Sequence, residues 1–341
     1  DHAAVTSPRL LVGGALLLSG VAVLAIGFGS VAIAPGDVIS ILARELFGVG
    51  EAAQSAGATS IVMELRLPRI LAAILVGAAL AVAGGAFQSL LRNPLADPYV
   101  LGTSSGAALG AAIAILLPIG GVAWELGGVQ LAAFIGALAS VGLVWRVAGI
   151  GSGEERIASV LLVGYAFASL LAAALSLVML ASGANLRAIF SFLLGGLDGA
   201  TWPRLAAAAL PLIAATTLLA LRGRALAGFL LGDEAAQHLG VDVRRERRIA
   251  VALASLATAA AVALAGLIGF VGLVVPHLAR LAVGPDPRAV LPLSAIGGAL
   301  LLLLADTIAR SIGVPVGVIT ALIGAPFLLW LLHRARTGYA L

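Results

Sequence analysis

The chain has 341 residues, of which 61% are hydrophobic and 11% charged, with a mean hydropathy of +1.14. Soluble domains carry roughly 25% charged residues, so a water-soluble fold is excluded and lipid is the solvent this composition requires. The net charge of +4 comes with 20 basic residues, all arginine and scattered at the ends of apolar segments, which excludes a nucleic-acid surface and reads as a topology signal.

At about 20 apolar residues per crossing, ten helices are predicted, over 10–33, 64–91, 98–118, 122–146, 157–181, 203–221, 248–267, 270–283, 289–309 and 314–333. None of these segments alternates with period two, so an outer-membrane barrel is excluded. The expected fold is an all-α integral membrane protein, a single transmembrane domain over 1–341 with ten transmembrane helices. The first segment exceeds the apolar core of a signal peptide and lacks a clear cleavage site, so it is expected to be retained. The 270–283 segment is short for a crossing and follows Gly266, Gly269 and Gly272; a broken helix shielded from lipid by protein is expected there. With an even number of crossings both termini share a side. Arg9, Arg92, Arg146, Arg156, Arg222, Arg224, Arg244, Arg245, Arg247, Arg248, Arg288, Arg334 and Arg336 fall on that side, against Arg44, Arg66, Arg69, Arg187, Arg204, Arg280 and Arg310 on the other or in the interior. The bias makes the termini cytoplasmic.

One long polar interval, 222–248, interrupts this pattern on the cytoplasmic side. Within it Leu230–Val241 reads as a short amphipathic helix, with Asp233 and Glu234 in its first turn and Gly240 as its stop. It is either a connector or a docking helix for a soluble partner. Asn93-Pro94-Leu95-Ala96-Asp97-Pro98 reads as a rigid turn between spans. Gly102, Gly106 and Gly110 then form a small-residue stripe for close helix packing. Gln88, Asn93, Ser104, Ser105 and Arg187 are the polar groups in or beside spans that a translocation path would use. Asp306 and Arg310, four residues apart, read as an ion pair on one helix face. His238 and His277 have no partners at ligand spacing and there is no cysteine, so no metal site and no cofactor are expected. His277 follows Pro276 and is expected to hydrogen-bond or cap.

Four ordered runs carry a family likeness: Arg66-Leu-Pro-Arg69 with Gly84-Gly-Ala-Phe-Gln88; Asn93–Pro98 with Leu101-Gly-Thr-Ser-Ser-Gly-Ala107; Gly269-Phe-Val-Gly-Leu-Val-Val-Pro-His-Leu-Ala-Arg280; and Pro315-Val-Gly317 with Gly324-Ala-Pro-Phe327. Together with Leu231-Gly-Asp-Glu234 to Leu239-Gly-Val241, they make the chain resemble the FecCD-type permeases of type II ABC importers for iron-siderophores, haem and cobalamin. The resemblance implies a homodimer of ten-helix subunits around a central path in the bacterial inner membrane, two ATP-binding cassette ATPase subunits below and a soluble binding protein above. It implies that Arg66, Arg69 and Arg310 meet acidic residues of the binding protein, and that Gly232, Asp233, Glu234, His238, Leu239 and Gly240 couple to the ATPase. Haem or a ferric siderophore is the favoured cargo, with cobalamin as a further possibility. The chain holds no Gly-x-x-x-x-Gly-Lys-Ser/Thr loop, so it is not expected to be an enzyme. An ion-coupled transporter working without an ATPase would need carboxylates inside its spans, and acids are nearly absent there. A membrane enzyme would need a reactive cluster, and none is present. Two departures stand out: Arg310-Ser-Ile-Gly-Val314 is shorter than the family's run and lacks its Glu, and Asp286-Pro-Arg288 replaces Asp-His-Arg.

Overall fold

A computed structural model of the chain describes residues 8–29, 31–49, 56–117, 127–148 and 153–336, which are all-helical, with no strand among them. Helix α1 is Pro8–Gly27. The connection after it holds an unexpected amphipathic helix, α2 (Pro35–Phe47), begun by Pro35 at its first position and closed by Gly48 at φ 69°. The charges of Asp37 and of the exposed Arg44 and Glu45 keep it from reading as a span.

Helix α3 (Ala56–Leu90, 35 residues) is the centre of the bundle. It is widened by a π-helical stretch, Ile61–Arg66, in which the Leu67 N–H bonds to the Val62 carbonyl five residues back. Pro68 is the cause, because its ring has no N–H and would clash with an α-helical carbonyl one turn earlier. The Met63 carbonyl, which that register aims at Pro68, instead accepts the Trp202 indole N–H at 2.8 Å.

The remaining helices are α4 (Thr103–Leu116), α5 (Gly128–Val147), α6 (Gly153–Ala181), α7 (Leu186–Leu194), α8 (Trp202–Leu221), α9 (Gly223–Leu230), α10 (Asp233–His238), α11 (Val243–Ala265), α12 (Val271–Val283), α13 (Pro287–Ile312) and α14 (Val316–Arg336). Among the described residues, seven helices are long and apolar enough to cross a membrane: Pro8–Gly27, Ala56–Leu90, Gly128–Val147, Ser159–Ala181, Trp202–Leu221, Val243–Ala265 and Pro287–Ile312. The segments expected at 98–118, 270–283 and 314–333 are shorter apolar helices. The first is shortened because Asn93–Gly102 folds as consecutive turns: Asn93 Oδ1 accepts the Leu95 N–H (2.9 Å) and Asp97 Oδ1 the Tyr99 N–H (2.8 Å). Part of the expected 122–146 helix, 122–126, lies outside the described residues.

Helix α3 packs on α13, α11, α8 and α12. Lipid offers helices no hydrophobic drive toward each other, so close backbone approach supplies the attraction. The contacts are glycine on glycine. A Cβ on Gly77 would overlap the Gly298 carbonyl, a Cβ on Gly298 the Gly77 carbonyl, and a Cβ on Gly84 the Gly272 carbonyl. Helices α4 and α5 meet the same way through Gly106 and Gly136, with Gly110 on Ala132. Gly102, expected in that stripe, is instead the N-cap of α4 at φ 73°.

The expected break before 270–283 is real, with Gly266 at φ 68° and Phe270 at φ 69°. Neighbours satisfy its backbone. The Tyr99 hydroxyl donates to the Ile268 carbonyl (3.0 Å) and accepts the Ile268 N–H (3.3 Å), while the Leu267 N–H reaches the Phe192 carbonyl (3.3 Å) and the Ala265 carbonyl accepts the Gly196 N–H (2.8 Å). Irregular backbone survives at membrane depth only when bonded in this way.

Gly77→Val puts a branched side chain into backbone and is expected to cost at least about 1–3 kcal/mol. Gly269→Ala, where an added Cβ meets nothing within 4 Å, is expected to be neutral. Thermal unfolding of both variants in detergent checks the contrast.

Candidate functional site

At the end of the bundle where α1 stops, the last carbonyls of that helix have no intrahelical partner. Arg66 fills them: its guanidinium donates to the carbonyls of Ile26 (2.6 Å), Gly27 (3.2 Å) and Val31 (2.5 Å), and the residue is only 7% exposed. Arg310 adds a bond to the Ala25 carbonyl (2.6 Å). Two cations thus sit on the negative end of one helix, the placement its dipole favours.

Arg69 holds a different partner. Its Nε and Nη2 grip the fully buried Asp306 carboxylate at 2.7–3.1 Å, and its Nη1 pairs with Asp198, whose side chain is 79% exposed. The expected Asp306–Arg310 pair does not form. Asp306 faces α3, whereas Arg310, one turn on, turns to the end of α1. Of the three arginines expected to meet a binding protein, Arg66 is therefore buried under α1, and Arg69 and Arg310 tie helices together. The exposed charge of this group is Asp198, which sequence reasoning missed; the signal was its place in the Gly-rich turn Gly195-Gly-Leu-Asp-Gly199. Asp306 was legible as a buried acid needing a partner, although the partner 237 residues away was not.

In the 222–248 interval, the short helix expected over Leu230–Val241 is present as α10 (Asp233–His238). Gly232 (φ 98°) begins α10, and Gly240 (φ 80°) ends it, with the Val241 N–H on the Ala236 carbonyl at 3.0 Å. Asp233 is not free. Both its oxygens accept from Arg247 (2.7 and 2.9 Å), whose guanidinium lies 5.5 Å from the Phe229 ring centroid. Arg222 binds Glu246 in parallel (2.6 and 2.8 Å). These pairs fasten α9 and α10 to the start of α11, which begins at Val243 rather than 248. Glu234, His238, Leu239 and Gly240 remain exposed, and Leu231 and Leu239 present about two-thirds of their surface.

The polar groups expected along a path divide. Gln88 is buried and fully occupied. Its amide nitrogen reaches the carbonyls of Ala96, Gly272 and Leu273 (3.2–3.3 Å), and its oxygen accepts from Arg280 at 2.6 Å. It is a strut between α3 and α12, not a lining group. Asn93 closes a turn. Ser104 and Ser105 are partly exposed in the first turn of α4, and Arg187 is exposed on α7. His277 does not cap a helix. It lies inside α12, buried, with neither ring nitrogen hydrogen-bonded and its ring edge-on to Phe327 at 5.9 Å. No group of residues that could hold a metal ion occurs among the described residues.

The chain matches the FecCD transport family over residues 16–334. It is 44% identical over 301 residues to the cobalamin import system permease protein BtuC of Halobacterium salinarum, covering 88% of this chain and 79% of that one. To the hemin transport system permease protein HmuU of Yersinia pestis it is 39% identical, covering 96% and 97% of the two chains. Among solved structures it is similar to a metal-chelate type ABC transporter in an inward-facing conformation, with a TM-score of 0.84 and 29% identity over 96% of this chain and 100% of that one.

Removing one partner of a buried ion pair leaves an uncompensated charge. Asp306→Ala is expected to cost about 3–5 kcal/mol, and Arg69→Met with Asp306→Leu to recover most of it, read by thermal unfolding in detergent. In the 91–102 connection, burial pushes the Asp97 carboxyl up to about 6 from 3.8, against a lowering by the Tyr99 N–H. The native state then binds this proton more tightly than the unfolded chain, so ionisation is a penalty above the raised value that is relieved as pH falls through it. Thermal stability is expected to rise from about pH 7 to about pH 5, and Asp97→Asn to abolish that rise.

Proposed function

The chain belongs to the FecCD transport family, and from that premise we propose that it is the permease subunit of a type II ABC importer moving a bulky metal chelate of the haem, siderophore or cobalamin class. The observation that carries this reading is whole-length agreement with import permeases, 96% of this chain against 97% of the hemin permease. A carboxylate available to a coupling ion is not offered by Asp306, which is closed off by Arg69.

In this reading the seven long spans are completed to ten crossings by Thr103–Leu116, Val271–Val283 and Val316–Leu331, with both termini cytoplasmic. Two copies form the path, and Ser104, Ser105 and Arg187 are its polar contributors. ATP hydrolysis belongs to separate subunits. The exposed residues of α10, Glu234 and His238 with Leu239 and Gly240 behind them, meet that ATPase, and the Asp233–Arg247 and Arg222–Glu246 pairs make the meeting mechanical. A push on α10 is delivered to α11, and so to the bundle centre. A substrate-binding protein docks on the outer face at Arg69, where one of its carboxylates competes with Asp198 for the guanidinium.

Two measurements test the reading. Proteoliposomes containing the chain, its ATPase and its binding protein are expected to take up one of cobalamin, haem or a ferric siderophore only with ATP; uptake by the chain alone would remove the proposal. Freeing Arg69 by Asp198→Asn is expected to tighten binding-protein association several-fold at low salt, and an unchanged affinity would rule out docking there.

A further inference from the structure

Helices α5 and α8 both pack on α11 but hardly on each other. Between them runs a crevice of about 240 Å³, floored by Ala260 and Ala263 and walled by Phe134 and Pro211, with Arg204 and Gln130 at its mouth. Small side chains line the floor, so the protein's own packing leaves the space unfilled. Both flanking helices turn large apolar groups outward, Leu131 (60% exposed) and Leu210 (76% exposed), so the crevice opens sideways toward acyl chains rather than toward water.

From Arg204 to Pro211 the helix rises about 10 Å, the upper part of one leaflet. The mouth is polar. A second hollow of about 300 Å³ adjoins it, sharing Arg204 and Gln130 and edged by Ser191 and Asp198. One Arg204 amino group donates to the Gly199 carbonyl at 3.1 Å, and a guanidinium carries several further donors suited to phosphate. Trp202, two residues before Arg204 and 41% exposed, is the residue type that marks the interface between membrane and water.

We propose that this crevice is a binding site for one phospholipid of the outer leaflet, with an acyl chain between α5 and α8 and the phosphate diester on Arg204. An apolar slot with a cation at its mouth, at headgroup depth, matches that one ligand at both ends. The crevice is lined by none of Arg69, Asp198, Ser104, Ser105 and Arg187, so it stands apart from the transport reading except in the choice of leaflet, which rests on the proposed topology.

Native mass spectrometry of the full chain in detergent tests it, with phosphatidylglycerol, diacylglycerol and inorganic phosphate as probes. Wild type is expected to retain phosphatidylglycerol and not diacylglycerol, and millimolar phosphate is expected not to displace the lipid. Arg204→Gln, which removes the cation, and Ala207→Phe, which fills the slot from its exposed rim, are each expected to lower retention at least about tenfold, the size of one lost charge-assisted contact. Should either variant unfold, the other, with Gln130→Leu as a third, carries the test. The site is overturned by retention equal to wild type in the folded variants, by displacement with phosphate alone, or by a changed oligomeric state in Ala207→Phe, which would mean that protein covers this face.

Discussion

A polar group carried to membrane depth has no water to fall back on, and the arrangement of this bundle follows from how its open backbone groups and its buried carboxylate are satisfied from within. The clearest case is the broken stretch between α11 and α12. Ile268 would leave both its N–H and its carbonyl bare in lipid, and a single hydroxyl, that of Tyr99, serves both. Tyr99 can reach because the 91–102 connection folds back as consecutive turns, and those turns are braced by Gln88 from α3. Without the connection, the break would have no partner.

The same constraint explains the arginines. Three that sequence reasoning placed at an outer surface are the partners of groups that would otherwise be stranded. Arg66 and Arg310 take the open carbonyls of α1, and Arg69 takes the buried Asp306. Of the three, Arg69 is also paired with an exposed carboxylate, that of Asp198, and in the proposed reading the docking duty falls on that guanidinium as well. In the 222–248 interval the ion pairs of α10 and α9 with α11 play an analogous part, giving a short surface helix a stiff link to a long central one.

Close packing supplies what hydrophobic burial cannot supply within lipid. Glycines of α3 face glycines of α12 and α13, so three backbones approach more closely than any side chain would permit. Where the helices diverge instead, as α5 and α8 do over α11, small side chains leave a gap, and lipid is the material at hand to fill it.

Membrane residence, helical class and the place of each long span were readable from composition and apolar run length, because each span must supply its own twenty or so apolar residues whatever surrounds it. The family was readable from motifs in order, and the shape of α10 from its glycines and first-turn acids, because caps are local. Partner identity was not. Asp306 lies four residues from Arg310 and yet bonds Arg69, 237 positions away, because a helix face is chosen by the neighbouring helix and not by sequence spacing. Gln88 looked like a path residue and proved a strut for the same reason. The tertiary structure alone decided which polar groups are occupied by the fold and which remain for a partner, since that depends on which carbonyls and carboxylates the folded chain brings within reach.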